Sequence, residues 1–98
     1  MGKYLMLWEV DQARVPVSPQ ERGSTWGAFM GMIKEDLKKG ILKDWGIFVG
    51  ENNGYAVVEG TEVEIGNMVQ QYVPWVIFKA RAVASVNQVD TIIKELTK

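Results

Sequence analysis

Apolar positions change their period along this chain, and the changes divide it into elements. Tyr4 to Val10 is a dense apolar and aromatic run, broken at Glu9 and followed by the polar stretch Asp11 to Arg14, which predicts a strand leaving into a loop. Beyond the extended Val15-Pro16-Val17 the period becomes helical. Trp26, Phe29, Met30, Ile33 and Leu37 recur at three- and four-residue spacing, with Lys34, Glu35, Lys38 and Lys39 largely opposite. Ser18-Pro19-Gln20-Glu21 supplies the start of that helix, with an N-cap serine, a proline at the first helical position and a glutamate at the third; Gly40 supplies the stop. Gly23, Gly27 and Gly31 lie inside it at four-residue intervals, each costing about 1 kcal/mol relative to alanine. Such glycines imply that the helix backbone packs closely on the sheet or a neighbouring helix, or else that a ligand approaches it.

Ile41 to Val49 alternates loosely as a second strand. The run Gly50-Glu51-Asn52-Asn53-Gly54 predicts a reversal at Asn-Gly, and Tyr55 to Glu59 returns as the antiparallel partner. Thr61-Glu62-Val63-Glu64 is a capping box opening a short helix, with Val63, Met68 and Val69 inward, that ends before Pro74. Trp75 to Val83 reads as a fourth strand. Ser85-Val86-Asn87-Gln88 repeats the capping logic, and Val86, Val89, Ile92, Ile93 and Leu96 form an apolar stripe on a terminal helix. No linker interrupts the order, so residues 1–98 read as a single α+β domain of the form βαββαβ, an antiparallel sheet with helices on one face and an additional C-terminal helix.

Alternation along the strands sorts their side chains into two sets. Tyr4, Met6, Trp8 and Val10, with Leu42, Gly46, Phe48, Ala56, Val58, Val76, Phe78, Ala80 and Ala82, form a nearly charge-free set that suits the helix-covered side; only Asp44 breaks it. The other set joins Lys3, Leu5, Leu7 and Glu9 with Lys43, Trp45, Ile47, Val49, Tyr55, Val57, Glu59, Trp75, Ile77, Lys79, Arg81 and Val83. It is too apolar to face water, so a partner, a ligand or the terminal helix is expected to cover it.

Composition sharpens this picture. A domain of 98 residues buries only roughly 60–65% of its unfolded surface, and with no cysteine it has no disulfide to supplement its core. A second copy of the chain is the simplest remedy. The net charge of -1 provides no general field for nucleic acid or anionic lipid, and no segment is long enough in apolar residues to cross a membrane, so a cytoplasmic protein is expected. With no histidine or cysteine, thiol and serine–histidine chemistry and cysteine-based zinc sites are excluded, and no metal site is expected.

Leu42 to Gly60, followed by Tyr72 to Phe78, gives the chain its family likeness: it resembles the dimeric α+β barrel superfamily, particularly its small single-domain members. The resemblance implies a ferredoxin-like fold, a homodimer formed through the open sheets, and a cavity between sheet and helices in each subunit. Relatives of that kind bind haem, oxidise aromatic compounds without a cofactor, or isomerise lactones. Haem-handling relatives generally present a histidine, which this chain lacks, and no cofactor is expected.

The leading functional expectation is therefore a homodimeric small-molecule-binding protein, with Trp8, Trp26, Trp45, Tyr55, Lys79 and Arg81 at the ligand. The alternative is a cofactor-independent enzyme of lactone-isomerase or aromatic-oxygenase type, in which Lys79 and Arg81 grip an acidic group while Glu9 or Glu59 moves a proton. Against these stand plainer readings, tryptophans as core and charges as ion pairs at an interface rim. An enclosed void beside Trp8, Trp26 and Trp45 with a buried carboxylate would favour the enzyme, and a filled interior would favour a purely structural or interaction role. A regulatory effector-binding module of the same topology is a further class. An RNA-recognition motif shares the element order, and Asn53 to Val58 resembles its third-strand signature, but Asn53 and Val57 stand where a base and a stacking phenylalanine are expected.

Overall fold

The computed structural model describes residues 2–98. It comprises β1 (Gly2–Val10), α1 (Pro19–Lys39), β2 (Leu42–Ile47), β3 (Asn53–Gly60), α2 (Glu62–Gln70), β4 (Val76–Val83) and α3 (Val86–Leu96), with a single 3-10 turn at Gln12–Arg14. The strands form one antiparallel sheet in the order β2-β3-β1-β4. This α+β arrangement is compatible with the ferredoxin-like fold expected from the element order.

Helix starts lie where the caps put them. The Ser18 hydroxyl accepts from the Glu21 N–H, and complete capping boxes join Thr61 to Glu64 and Ser85 to Gln88. Gly40, at φ 86°, ends α1 by returning its N–H to the carbonyls of Asp36 and Leu37. Met6 and Trp8 of β1, Leu42 of β2, and Ala56 and Val58 of β3 meet Phe29 and Ile33 of α1 and Ile65 and Met68 of α2 in one core. Burying each large side chain there stabilises the fold by roughly 1.5–3 kcal/mol. The opposite face of the sheet has no helix on it, and Leu5, Leu7, Ile77 and Val83 are exposed there. The apolar open face expected from alternation is thus present and bare.

Five local expectations are corrected. The register of β2 against β3 shifts between Leu42 and Asp44, a bulge at Lys43 that adds one residue and inverts every later position. Trp45 therefore lies opposite Ala56 on the helix side, and Asp44 opposite Val57 on the open side. Asn53 and Gly54 belong to β3; the reversal instead uses Gly50 at φ 82°, with the Phe48 carbonyl accepting from the Glu51 N–H. Val63 is 72% exposed, because the cap at Thr61 turns Ile65 and Met68 inward. Trp75 precedes β4 and sets its ring edge-on to Phe29 of α1 at 6.2 Å, away from the open face. Finally, Gly23, Gly27 and Gly31 are exposed, and a methyl group at any of them would have no neighbour within 4 Å. Neither sheet nor helix packs against them.

Gly27→Ala and Gly31→Ala are each expected to stabilise the fold by about 0.5–1 kcal/mol, as a helix gains from losing glycine's backbone freedom. Chemical denaturation of the two variants against the parent chain checks the sign and size.

Candidate functional site

β1 carries functional candidates on both faces. Trp8 points to the helix side, where its ring stacks on Trp45 at a centroid distance of 5.2 Å and an interplanar angle of 9°. Trp26 of α1 approaches the same ring at 6.0 Å. The Trp8 indole N–H donates to the Tyr55 carbonyl at 3.1 Å, which fixes the ring's rotation. Close backbone approach makes room for it, since a side chain at Gly54 would collide with the Gly46 carbonyl and the Trp8 ring. From Trp26 the aromatic contacts continue to Phe29 at 6.1 Å and onward to Tyr72 at 6.1 Å. Tilted and offset pairs of this kind add about 0.5–1.5 kcal/mol each beyond their buried area.

These rings line a cavity between helices and sheet, and one carboxylate stands in its wall. Asp36 is 2% exposed and is the only buried charged residue among those described. It lies three residues beyond Ile33 and seven beyond Phe29, so the helix turns it inward with them and leaves Leu37 at the rim. The Tyr72 hydroxyl donates to Asp36 Oδ2 at 2.8 Å, and the Gln71 side-chain amide donates at 3.3 and 3.4 Å to its two oxygens. No ion pair among the described residues includes Asp36. The cavity is narrow: about 30 Å³ of it can hold the centre of a water molecule, room for roughly two waters at about 10–15 Å³ each. Its surface is almost wholly apolar.

Burial, followed by the hydrogen bond to Asp36 and by its charge, pushes the Tyr72 hydroxyl's pKa well above the ordinary tyrosine value. The neutral phenol is the form that donates to Asp36.

The open face holds the other candidates. Tyr55, Leu7 and Lys79 form one row across β3, β1 and β4, and Val57, Leu5 and Arg81 form the next. Tyr55 lies over Gly46, where any side chain would strike its ring, and donates to Asp44 Oδ2 at 2.8 Å; that bond, then desolvation and the nearby charge, raises its pKa. Glu9 and Lys79 share a depression of about 190 Å³ with Leu7, Phe48 and Ile77. Glu59 sits at the far end of the face, opposite Lys3, and pairs with Lys43 at 3.5 Å, an exposed bridge of small energetic weight. Glu9 and Glu59 thus do not share a site.

The six expected ligand residues therefore divide into two groups separated by the sheet. Trp8, Trp26 and Trp45 meet beneath the helices, and Tyr55, Lys79 and Arg81 stand on the bare face. Asp36, Gln71 and Tyr72 were not among the expected site residues. The signal for Asp36 was its helical spacing from Phe29 and Ile33, masked by its charge.

No protein-family model and no curated protein matches the chain. Among the described residues, no helix is long and apolar enough to cross a membrane.

Tyr72→Phe is expected to lower stability by roughly 1–3 kcal/mol, because it strips a buried carboxylate of its shortest hydrogen bond. The parent chain should also lose stability as pH rises above about 10, where the unfolded tyrosine ionises and the folded one resists. Below that pH this contribution is fully present. Denaturation curves at pH 8 and above 10 should show that the part of the alkaline loss due to Tyr72 is missing in Tyr72→Phe.

Proposed function

We propose that this chain binds a small, flat and largely apolar molecule between its helix layer and its sheet, and that it works as a homodimer joined through the open face. The observation that carries the binding reading is Asp36, a buried carboxylate with no cationic partner in the wall of an otherwise apolar aromatic cavity. Burying such a group is costly, and a packed apolar residue would serve stability better. Tyr72 and Gln71 hold it in place, and stacked indoles beside it offer flat surfaces for a ring or conjugated ligand. The cavity is narrow, so a ring-sized ligand needs its lining side chains to yield, and Trp26 and Trp45 in that lining are only partly buried.

The antiparallel order β2-β3-β1-β4 beneath a helix layer supports assignment to ferredoxin-like domains, and the bare apolar face supports the dimeric α+β barrel within them. An exposed face with Leu5, Leu7, Ile77 and Val83 beside one another needs cover in a domain this small.

A second reading, a cofactor-independent enzyme of the lactone-isomerase or aromatic-oxygenase type, is favoured by the same carboxylate. Asp36 could accept a proton from a bound substrate while the Tyr72 hydroxyl, held neutral, donates to the charge that develops. The RNA-binding reading gains less support, because Tyr4 packs against the core while Tyr55 stands on the open side.

Native mass spectrometry of the protein as purified, followed by thermal-shift screening with small aromatic acids, phenols and lactones, tests the proposal. A retained mass or a stabilising compound is expected, with the shift lost in Trp45→Ala and in Asp36→Asn. A dimer that carries no ligand and responds to no compound in such a set would refute the binding reading and leave the dimer standing.

A further inference from the structure

Helix α3 is the most strongly amphipathic segment of the chain, and none of its residues is buried. Val86, Val89, Ile92, Ile93 and Leu96 all face solvent. The molecule measures 61 × 25 × 19 Å, whereas its longest body elements, β1 and α1, are each only about 30 Å long. α3 follows β4 after the short link Ala84-Ser85 and packs against no other element to any extent, so the surplus length is ascribed to it. An isolated helix of 11 residues is below the length of about 12–15 at which helices become even marginal in water. Its complete capping box shows where the helix begins but cannot hold it alone.

We propose that α3 is an arm exchanged between two copies of this chain, laying its apolar stripe along the β4 margin of the partner's open face. The proposal rests on the homodimer reading above and deepens it. Charge supports this seat. Lys79 and Arg81 on β4 enter no ion pair among the described residues, and on the helix Asp90, likewise in none, and Glu95, paired with Lys98 at 2.8 Å, flank the two sides of the stripe while Lys94 lies further round. Leu7 and Leu5 of β1 stand directly beside Lys79 and Arg81, so a helix laid along this margin sets its stripe on apolar side chains, Ile77 and Val83 included, with its Asp90 border toward the cations.

Area supports it as well. Four strands about 4.8 Å apart and about 25 Å long offer a flat face of approximately 500 Å², short of the roughly 800 Å² per partner in a standard stable interface. The stripe of α3, about 16 Å long and about 10 Å wide, adds approximately 160 Å² per partner, which brings the total over both copies to roughly 1,300 Å², inside the range of about 1,200–2,000 Å² for stable interfaces.

Complementation between two variants tests the exchange. Ile92→Asp spoils the arm, and Ile77→Asp spoils the seat; both residues are about half exposed, at 51% and 49%, so the body should fold in each. Light scattering with size-exclusion chromatography is expected to show a dimer for the parent chain, with association weakened at least about tenfold in either variant alone. A 1:1 mixture should regain dimer, because one intact arm then meets one intact seat. Thr91→Asp, on the polar side of α3, should leave the dimer unchanged, and Val83→Asp replaces Ile77→Asp if the latter is not folded by circular dichroism. A mixture that stays monomeric, or an Ile92→Asp dimer as tight as the parent, overturns the arm exchange while the dimer reading survives. A monomeric parent chain overturns both.

Discussion

A single extra residue in β2 decides what each side of this sheet can do. Lys43 sits at a register shift against β3, and every β2 side chain after it changes face. Without the bulge Trp45 would lie on the open side and Asp44 would be driven under the helices. With it, Trp45 stacks on Trp8 and Asp44 moves out to take the Tyr55 hydroxyl. The bulge also brings Gly46 beneath the Tyr55 ring, where no other residue would fit. One inserted position thus completes the aromatic wall of the interior and removes its most costly charge.

The charge that does remain inside is of a different kind. Asp36 keeps its place through donors from the segment after α2, Gln71 and Tyr72, so the carboxylate ties the two helices of the layer together across a sequence separation of 36 residues. A pair of this sort is stable only while both partners are dry and in register. The aromatic rings provide the dryness, and the caps at Ser18 and Thr61 set the register of the helices that bear the pair.

Much of this architecture is legible along the chain because its signals are local. Ser18, Thr61 and Ser85 begin helices through bonds to residues three positions away, and alternation in β1, β3 and β4 depends on the strand alone. The bulge at Lys43 is not legible in this way, since it exists only relative to β3. Asp44, the one misfit in the charge-free set, was its trace. Asp36 was hidden for a similar reason: a carboxylate at the edge of an apolar stripe reads as solvent-facing until a tyrosine from another element is known to meet it. The tryptophans were identifiable as candidates, but that Trp8, Trp26 and Trp45 converge while Tyr55, Lys79 and Arg81 lie behind them depends on the pleat and the bulge together.

The three exposed glycines of α1 give the roof of the cavity an uneven stiffness. Gly23, Gly27 and Gly31 all fall in the section that carries Trp26 and Phe29, whereas Ile33 and Asp36 lie in the glycine-free remainder. Glycine raises the entropy of the opened backbone, so transient fraying should concentrate in the N-terminal part of the helix while the part bonded to Tyr72 stays shut. Amide hydrogens on the two sides of Gly31 would exchange with solvent at clearly different rates.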